Sequence, residues 1–109
     1  MNEIQKDELM KALHDCMEAC NRCFDECLKE DDVKMMEACI RIDRECADVC
    51  SFTEQAVSRD SPFLDEYLKT CVVVCKACAD ECGQHDHDHC QHCADMCKKC
   101  ADVCERFIA

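Results

Sequence analysis

Cysteines in this chain recur at intervals of three and four residues. The run HCQHCADMCKKCADVC, from His89, carries sulfur at positions 90, 93, 97, 100 and 104. An α-helix turns once per 3.6 residues, so these steps return to one face; a strand would need steps of two. The spacing predicts a helix with a stripe of thiols along one side. Three other stretches repeat the pattern, and few folds can bury four such stripes at once.

The first stretch runs from about Asn2 to Lys29, with the seam Leu9, Leu13, Cys16, Cys20, Cys23 and Cys27. Glu30, Asp31 and Asp32 interrupt it and are expected to cap the next helix. The second stretch runs from about Val33 to Ser58, with the seam Met36, Cys39, Asp43, Cys46, Cys50, Thr53 and Val57. Ser61 and Pro62 then read as N-cap and first helical residue of a third stretch that ends near Cys82. Its seam is Leu64, Leu68, Cys71, Cys75, Cys78 and Cys82, with Gly83 as the expected C-cap. The fourth stretch, from about Asp88 to Phe107, is the opening run, capped by Asp86 or Asp88.

The first and third seams superimpose at an offset of 55 residues, and the second and fourth at 54; CADVC occurs at both 46–50 and 100–104. The chain reads as a duplicated helical hairpin. Four helices with short connections fold up-down-up-down, so the expected class is all-α: one four-helix-bundle domain over residues 1–109 with a cysteine-lined core. In that topology the apolar seam residues (Leu9, Leu13, Thr53, Val57, Leu64, Leu68, Phe107) gather at one end as a plug. Met36, His85, His87 and His89 gather at the other as a rim. Between them lies a tube walled by thiols.

Composition narrows the class. The 109 residues include 16 cysteines but one glycine and one proline, too few turn formers for a disulfide scaffold rich in loops. With only 5% aromatic residues and no tryptophan, cysteine must fill much of the interior. The polar N-terminus lacks a secretory signal, and no apolar run approaches the ~18 residues that span a membrane. The expectation is a cytoplasmic chain with reduced thiols, where dense cysteine points to metal or catalysis. A net charge of −12 argues against nucleic acid and anionic membrane surfaces as partners and suits a handler of cations.

Seven CxxxC pairs occur, at 16–20, 23–27, 46–50, 71–75, 78–82, 93–97 and 100–104. Residues four apart on a helix lie one above the other, ~5–6 Å between Cβ atoms, so two thiolates can converge on one ion. That two-ligand geometry suits Cu(I), a soft ion favoured by thiolates. Zinc prefers four tetrahedral ligands from CxxC turns, whereas the CxxC steps here lie within helices; it stands as the secondary metal reading. The C-x2-C-x2-C-x3-C-P run of ferredoxins is absent. Charge balance in a buried core predicts multiple Cu(I) ions, roughly 8 to 16 per chain. A thiol-based redox protein is the competing class. It needs an exposed, acidified thiol, for which Cys90 near a helix start is the one candidate.

CIRIDRECADVC (39–50), DSPF (60–63) and HDHDHCQHCADMC (85–97) resemble the four-helix-bundle copper storage proteins, in their cytosolic branch. The resemblance covers nearly the whole chain. It implies a bundle preformed without metal, many Cu(I) ions on core cysteines, copper passing through the histidine-bearing mouth, homo-oligomers (typically tetramers), and no enzyme activity.

The expected metal residues are the 16 cysteines with His85, His87, His89, Met36 and Asp43. His85 continues the third seam and ranks first among the histidines. Met36 is a core filler or a thioether ligand. Asp43 is either a structural carboxylate paired with Arg44 or a mouth-side ligand or attracting charge. His14 and His92 fall off the seams and read as surface residues, and Met10, Met17, Phe24 and Ile40 as packing.

Overall fold

A computed structural model describes all residues, Met1 to Ala109. Four helices follow in order: α1 (Glu3–Leu28), α2 (Glu37–Ser58), α3 (Leu64–Cys82) and α4 (Asp88–Arg106). Each helix packs against its two chain neighbours, α1 against α2 and α4, and α3 against α2 and α4. This is the up-down-up-down bundle that the repeat and the short connections dictate. Its Cα envelope measures 46 × 17 × 17 Å, and no helix is long and apolar enough to cross a membrane.

The helix ends depart from expectation in instructive ways. A one-turn 3₁₀ helix, Val33–Met36, precedes α2, and Asp32 caps it without a side-chain hydrogen bond. The Glu30 and Asp32 carboxylates face the rim histidines instead. α3 begins at Leu64 rather than at Pro62; the Ser61 hydroxyl accepts from Phe63 N–H at 3.2 Å, so it closes a turn ahead of the helix instead of capping it. Asp60 turns the chain there with φ 52°, and its carboxylate sits 3.1 Å from Lys6 Nζ. The residue capping α4 is His87, not an aspartate, and it caps without a side-chain bond. Gln91 Nε2 stitches that end down by donating to the carbonyls of Gly83 (3.1 Å) and His85 (2.7 Å). Gly83 is the C-cap of α3 as expected, but in right-handed backbone conformation.

The core follows the seams closely. All 16 cysteines are fully buried and free. Leu9, Leu13 and Leu68 are fully buried at the plug end, with Thr53 and Val57 at 1% exposure, while Leu64 and Phe107 pack against the plug only partly buried. Thr53 satisfies its hydroxyl on the Val49 carbonyl at 2.7 Å. Beside the stripes, Ala19, Ala47, Ala56, Ala79, Ala94 and Ala101 are also buried. Their small side chains let the helices approach until sulfurs meet across the axis.

The plug carries three of the four largest buried side chains of the core, Leu9, Leu13 and Leu68. Leu13→Ala should therefore cost the reduced metal-free chain about 3 kcal/mol, from lost transfer energy and the cavity left behind. Urea unfolding reads this directly; a loss under ~0.5 kcal/mol would mean that the plug collapses to fill the space.

Candidate metal centre

The four stripes meet as one sulfur network. Within helices, six of the seven CxxxC pairs bring their sulfurs to 3.7–4.0 Å. Cys16 and Cys20 instead converge on Cys97 of α4, at 3.6 and 3.7 Å. Contacts between helices are as short as those within them: Cys46 to Cys75 is 3.7 Å, Cys50 to Cys71 3.8 Å and Cys39 to Cys82 3.2 Å. Sulfurs also cross the diagonals, Cys20 to Cys78 and Cys46 to Cys97, both at 3.9 Å. The pair along one helix is therefore only one edge of the arrangement. Its units are groups of four thiols with sulfurs within 4.8 Å of one another, among them Cys16–Cys20–Cys46–Cys97, Cys16–Cys46–Cys50–Cys75 and Cys23–Cys27–Cys39–Cys90. Cys16 and Cys46 belong to two of these groups each, so the groups share corners.

Geometry alone admits zinc. A Zn–S bond of ~2.3 Å places tetrahedral sulfurs about 3.8 Å apart, and the edges here are that long. Charge decides against it as the bulk occupant. Sixteen thiolates shared among four dications leave about eight buried negative charges, a heavy desolvation cost. A monovalent soft ion that replaces a thiol proton leaves the core charge unchanged, ion for ion. Shared corners also favour bridging thiolates over closed four-thiolate shells.

Hydrogen bonds among the thiols push some of them down, Cys39 among them, and burial opposes this; at the mouth burial dominates. It pushes Cys27 up and raises Cys90 to about 12. Cys90 is fully buried as well, so the one candidate for an acidified, reactive thiol is instead an inert one.

Asp43 is fully buried and pairs with no cation. Arg44 turns outward, bonds Asp48 at 2.7 and 3.3 Å and covers the Phe24 ring at 5.4 Å. The expected structural pairing with Arg44 is thus absent. Instead Asp43 Oδ1 accepts from the thiols of Cys82 (3.2 Å), Cys93 (3.3 Å) and Cys78 (3.5 Å), and Oδ2 faces Cys39 at 3.8 Å. Burial foremost, then the charge of Cys93, raises its carboxyl to about 8.

At the mouth the histidines separate. His89 lies closest to sulfur, its Nδ1 3.4 Å from Cys23, 3.5 Å from Cys90 and 3.9 Å from Cys27. His85, favoured by seam position, is held by Glu81 of α3 at 2.8 Å, because the chain has left that helix by then. His87 stacks on His89 and faces Glu30 at 3.1 Å. Met36 is fully buried against the thiols. His14 and His92 are exposed, as their positions off the seams require. The sequence could not rank His89 over His85, since only the path of the connection decides which ring turns inward.

Comparison with known proteins follows the same lines. The family profile described as copper storage protein matches residues 2–109. The Cu(I)-bound copper storage protein Csp3 of Bacillus subtilis superimposes with a TM-score of 0.93 at 47% identity, over 96% of this chain and 99% of that one. Streptomyces lividans Ccsp loaded with 10 copper equivalents gives a TM-score of 0.94 at 34% identity, over 98% and 86%. A cytosolic copper storage protein from the same organism, with five coppers, gives 0.91 at 34%, over 98% and 97%. A profile spanning nearly every residue, the shared bundle and the thiol-lined core together establish that the chain belongs to the copper storage protein family.

Proposed function

We propose that the chain stores Cu(I), holding many ions on its core cysteines. The observation that carries this reading is the single network of 16 buried, free sulfurs whose four-thiol groups share corners. Each arriving Cu(I) displaces a thiol proton, so the core stays near neutrality as it fills. The ligands are Cys16, Cys20, Cys23, Cys27, Cys39, Cys46, Cys50, Cys71, Cys75, Cys78, Cys82, Cys90, Cys93, Cys97, Cys100 and Cys104. His89 adds a nitrogen at the mouth, with His85 and His87 on its rim and the Met36 thioether beneath. Asp43 supplies a carboxyl within reach of four thiols, a mouth-side ligand once it gives up its proton rather than a paired structural group. The helices need no metal to form, because the seams bury themselves in the thiol state.

The chain acts as a binding protein and not an enzyme, in the cytoplasm, where thiols remain reduced. The family resemblance and the exposed Phe63 and Val73 (62% and 68%) support a homo-oligomer, a tetramer. Nucleic acid and membrane surfaces are not its partners; its charge repels both.

The test is an anaerobic Cu(I) titration of the reduced protein against a competing chelator. It should show roughly 8 to 16 tight equivalents with little change in helicity. Saturation at one or two equivalents, or tight binding of zinc alone, overturns the reading.

A further inference from the structure

The acids of the α1–α2 turn and the two histidines at the start of α4 meet over the mouth. The His87 and His89 rings stack with centroids 5.3 Å apart and planes 5° from parallel. One carboxylate addresses both. Glu30 Oε2 lies 3.1 Å from His87 Nδ1, and Glu30 Oε1 lies 3.5 Å from His89 Nε2. That second nitrogen is buried and makes no hydrogen bond. Such an atom calls for an explanation, and an ion is one of the few available. The opposite ring nitrogens are already engaged: His89 Nδ1 with the thiols of Cys23 and Cys90, and His87 Nε2 with Asp32 at 3.7 Å. A carboxylate behind an imidazole fixes its tautomer and sharpens the free nitrogen as a ligand.

We propose that His87 Nδ1, His89 Nε2 and the Glu30 carboxylate form a separate rim site for one divalent cation of borderline softness, such as Zn²⁺. Two imidazoles and a carboxylate are a recurrent zinc set, harder than the thiolates beneath. The site differs from the thiol store in donor type, in the charge of its ion and in its position outside the sulfur network. It joins the α1–α2 connection to the start of α4. A bound cation would thus tie α1–α2 to α3–α4 across the path that Cu(I) takes. His89 stands between the two sites, one nitrogen toward each.

The test rests on the storage reading in one respect: Cu(I) is first used to fill the thiols. Zn²⁺ is then titrated into the Cu(I)-saturated chain near neutral pH, followed by the ring-nitrogen NMR shifts of all five histidines. One equivalent should move His87 Nδ1 and His89 Nε2 and leave His14 and His92 unmoved. Glu30→Gln should weaken that binding at least ~10-fold, and His87→Ala should abolish it. Both side chains are half-buried on the rim, and unchanged helicity checks that the bundle survives. The proposal fails if the shifts fall on His14 or His92, if Zn²⁺ only displaces copper, or if both variants bind as the unaltered chain does. A chain that took up no Cu(I) would show this in the preceding step. The same ring shifts, read on the reduced metal-free chain, would then still decide the rim site.

Discussion

Asp43→Asn should make the metal-free chain more stable at about pH 9 by several kcal/mol, and leave it nearly unchanged near pH 4. The buried carboxyl has no cation beside it, and burial raises it from 3.8 to about 8. Between those values the folded chain keeps a proton that the unfolded chain releases. Stability from this group is therefore full below about pH 4 and falls as pH rises, until it is lost above about pH 8. Every tenfold difference in proton affinity between folded and unfolded chain is worth ~1.4 kcal/mol, so the span amounts to on the order of 5 kcal/mol. Asparagine keeps the shape and removes the charge. The difference between the two curves reports residue 43 together with the thiols that bond it, Cys78, Cys82 and Cys93. Urea unfolding of the reduced proteins across the range measures it, and parallel curves would show that the carboxylate is solvated or paired in the folded chain.

Filling the core with Cu(I) should raise the unfolding midpoint by more than ~30 °C. A ligand held at a hundred times its dissociation constant adds about 2.7 kcal/mol per site. Eight or more sites give an upper figure on the order of 20 kcal/mol, reduced by whatever the unfolded thiols retain. The native advantage comes from position: sulfurs from three or four helices stand within 4.8 Å in the folded chain and are scattered along the unfolded one. Ions bridging them act as cross-links between helices. Anaerobic calorimetry of loaded and metal-free protein reads the change. A rise of only a few degrees would place the copper on isolated intrahelical pairs, which an unfolded chain can also offer.

The fold was legible because one period, repeated four times, settles helix type, buried face and topology together. The buried thiols were legible for the same reason: a cysteine on an apolar seam has nowhere to point but inward. What spacing could not show is distance across the axis. The sequence presents Cys46–Cys50 as a pair, whereas Cys46 also touches Cys16, Cys75 and Cys97 within 3.9 Å, from three other helices. The alanines that permit this closeness carried no signal of their own. Asp43 aligns with Cys97 in the repeat, yet the two keep different company. Cys97 sits among Cys16, Cys20 and Cys46, while the longer carboxylate, inclined toward the start of its helix, reaches Cys78 and Cys82. Arg44 adjoins Asp43 in sequence but lies a third of a turn around the helix, and so cannot serve it. Connections were the least legible part, because the roles of His85 and His89 depend on where the linker between α3 and α4 travels.

None of the five surface hollows is lined by a cysteine, and the sulfurs already stand at 3.2–4.0 Å from one another. The interior resembles a close-packed lattice whose interstices, each framed by four sulfurs, are the size of a metal ion. A metal atom admitted to it is an interstitial, which takes the place of a hydrogen. Capacity is then set by the count of interstices as well as by donor number. Because neighbouring interstices share corners, an ion in one alters the charge and geometry of the next. The leucine plug closes the lattice at one end, so every atom exchanged with the outside crosses the opposite face.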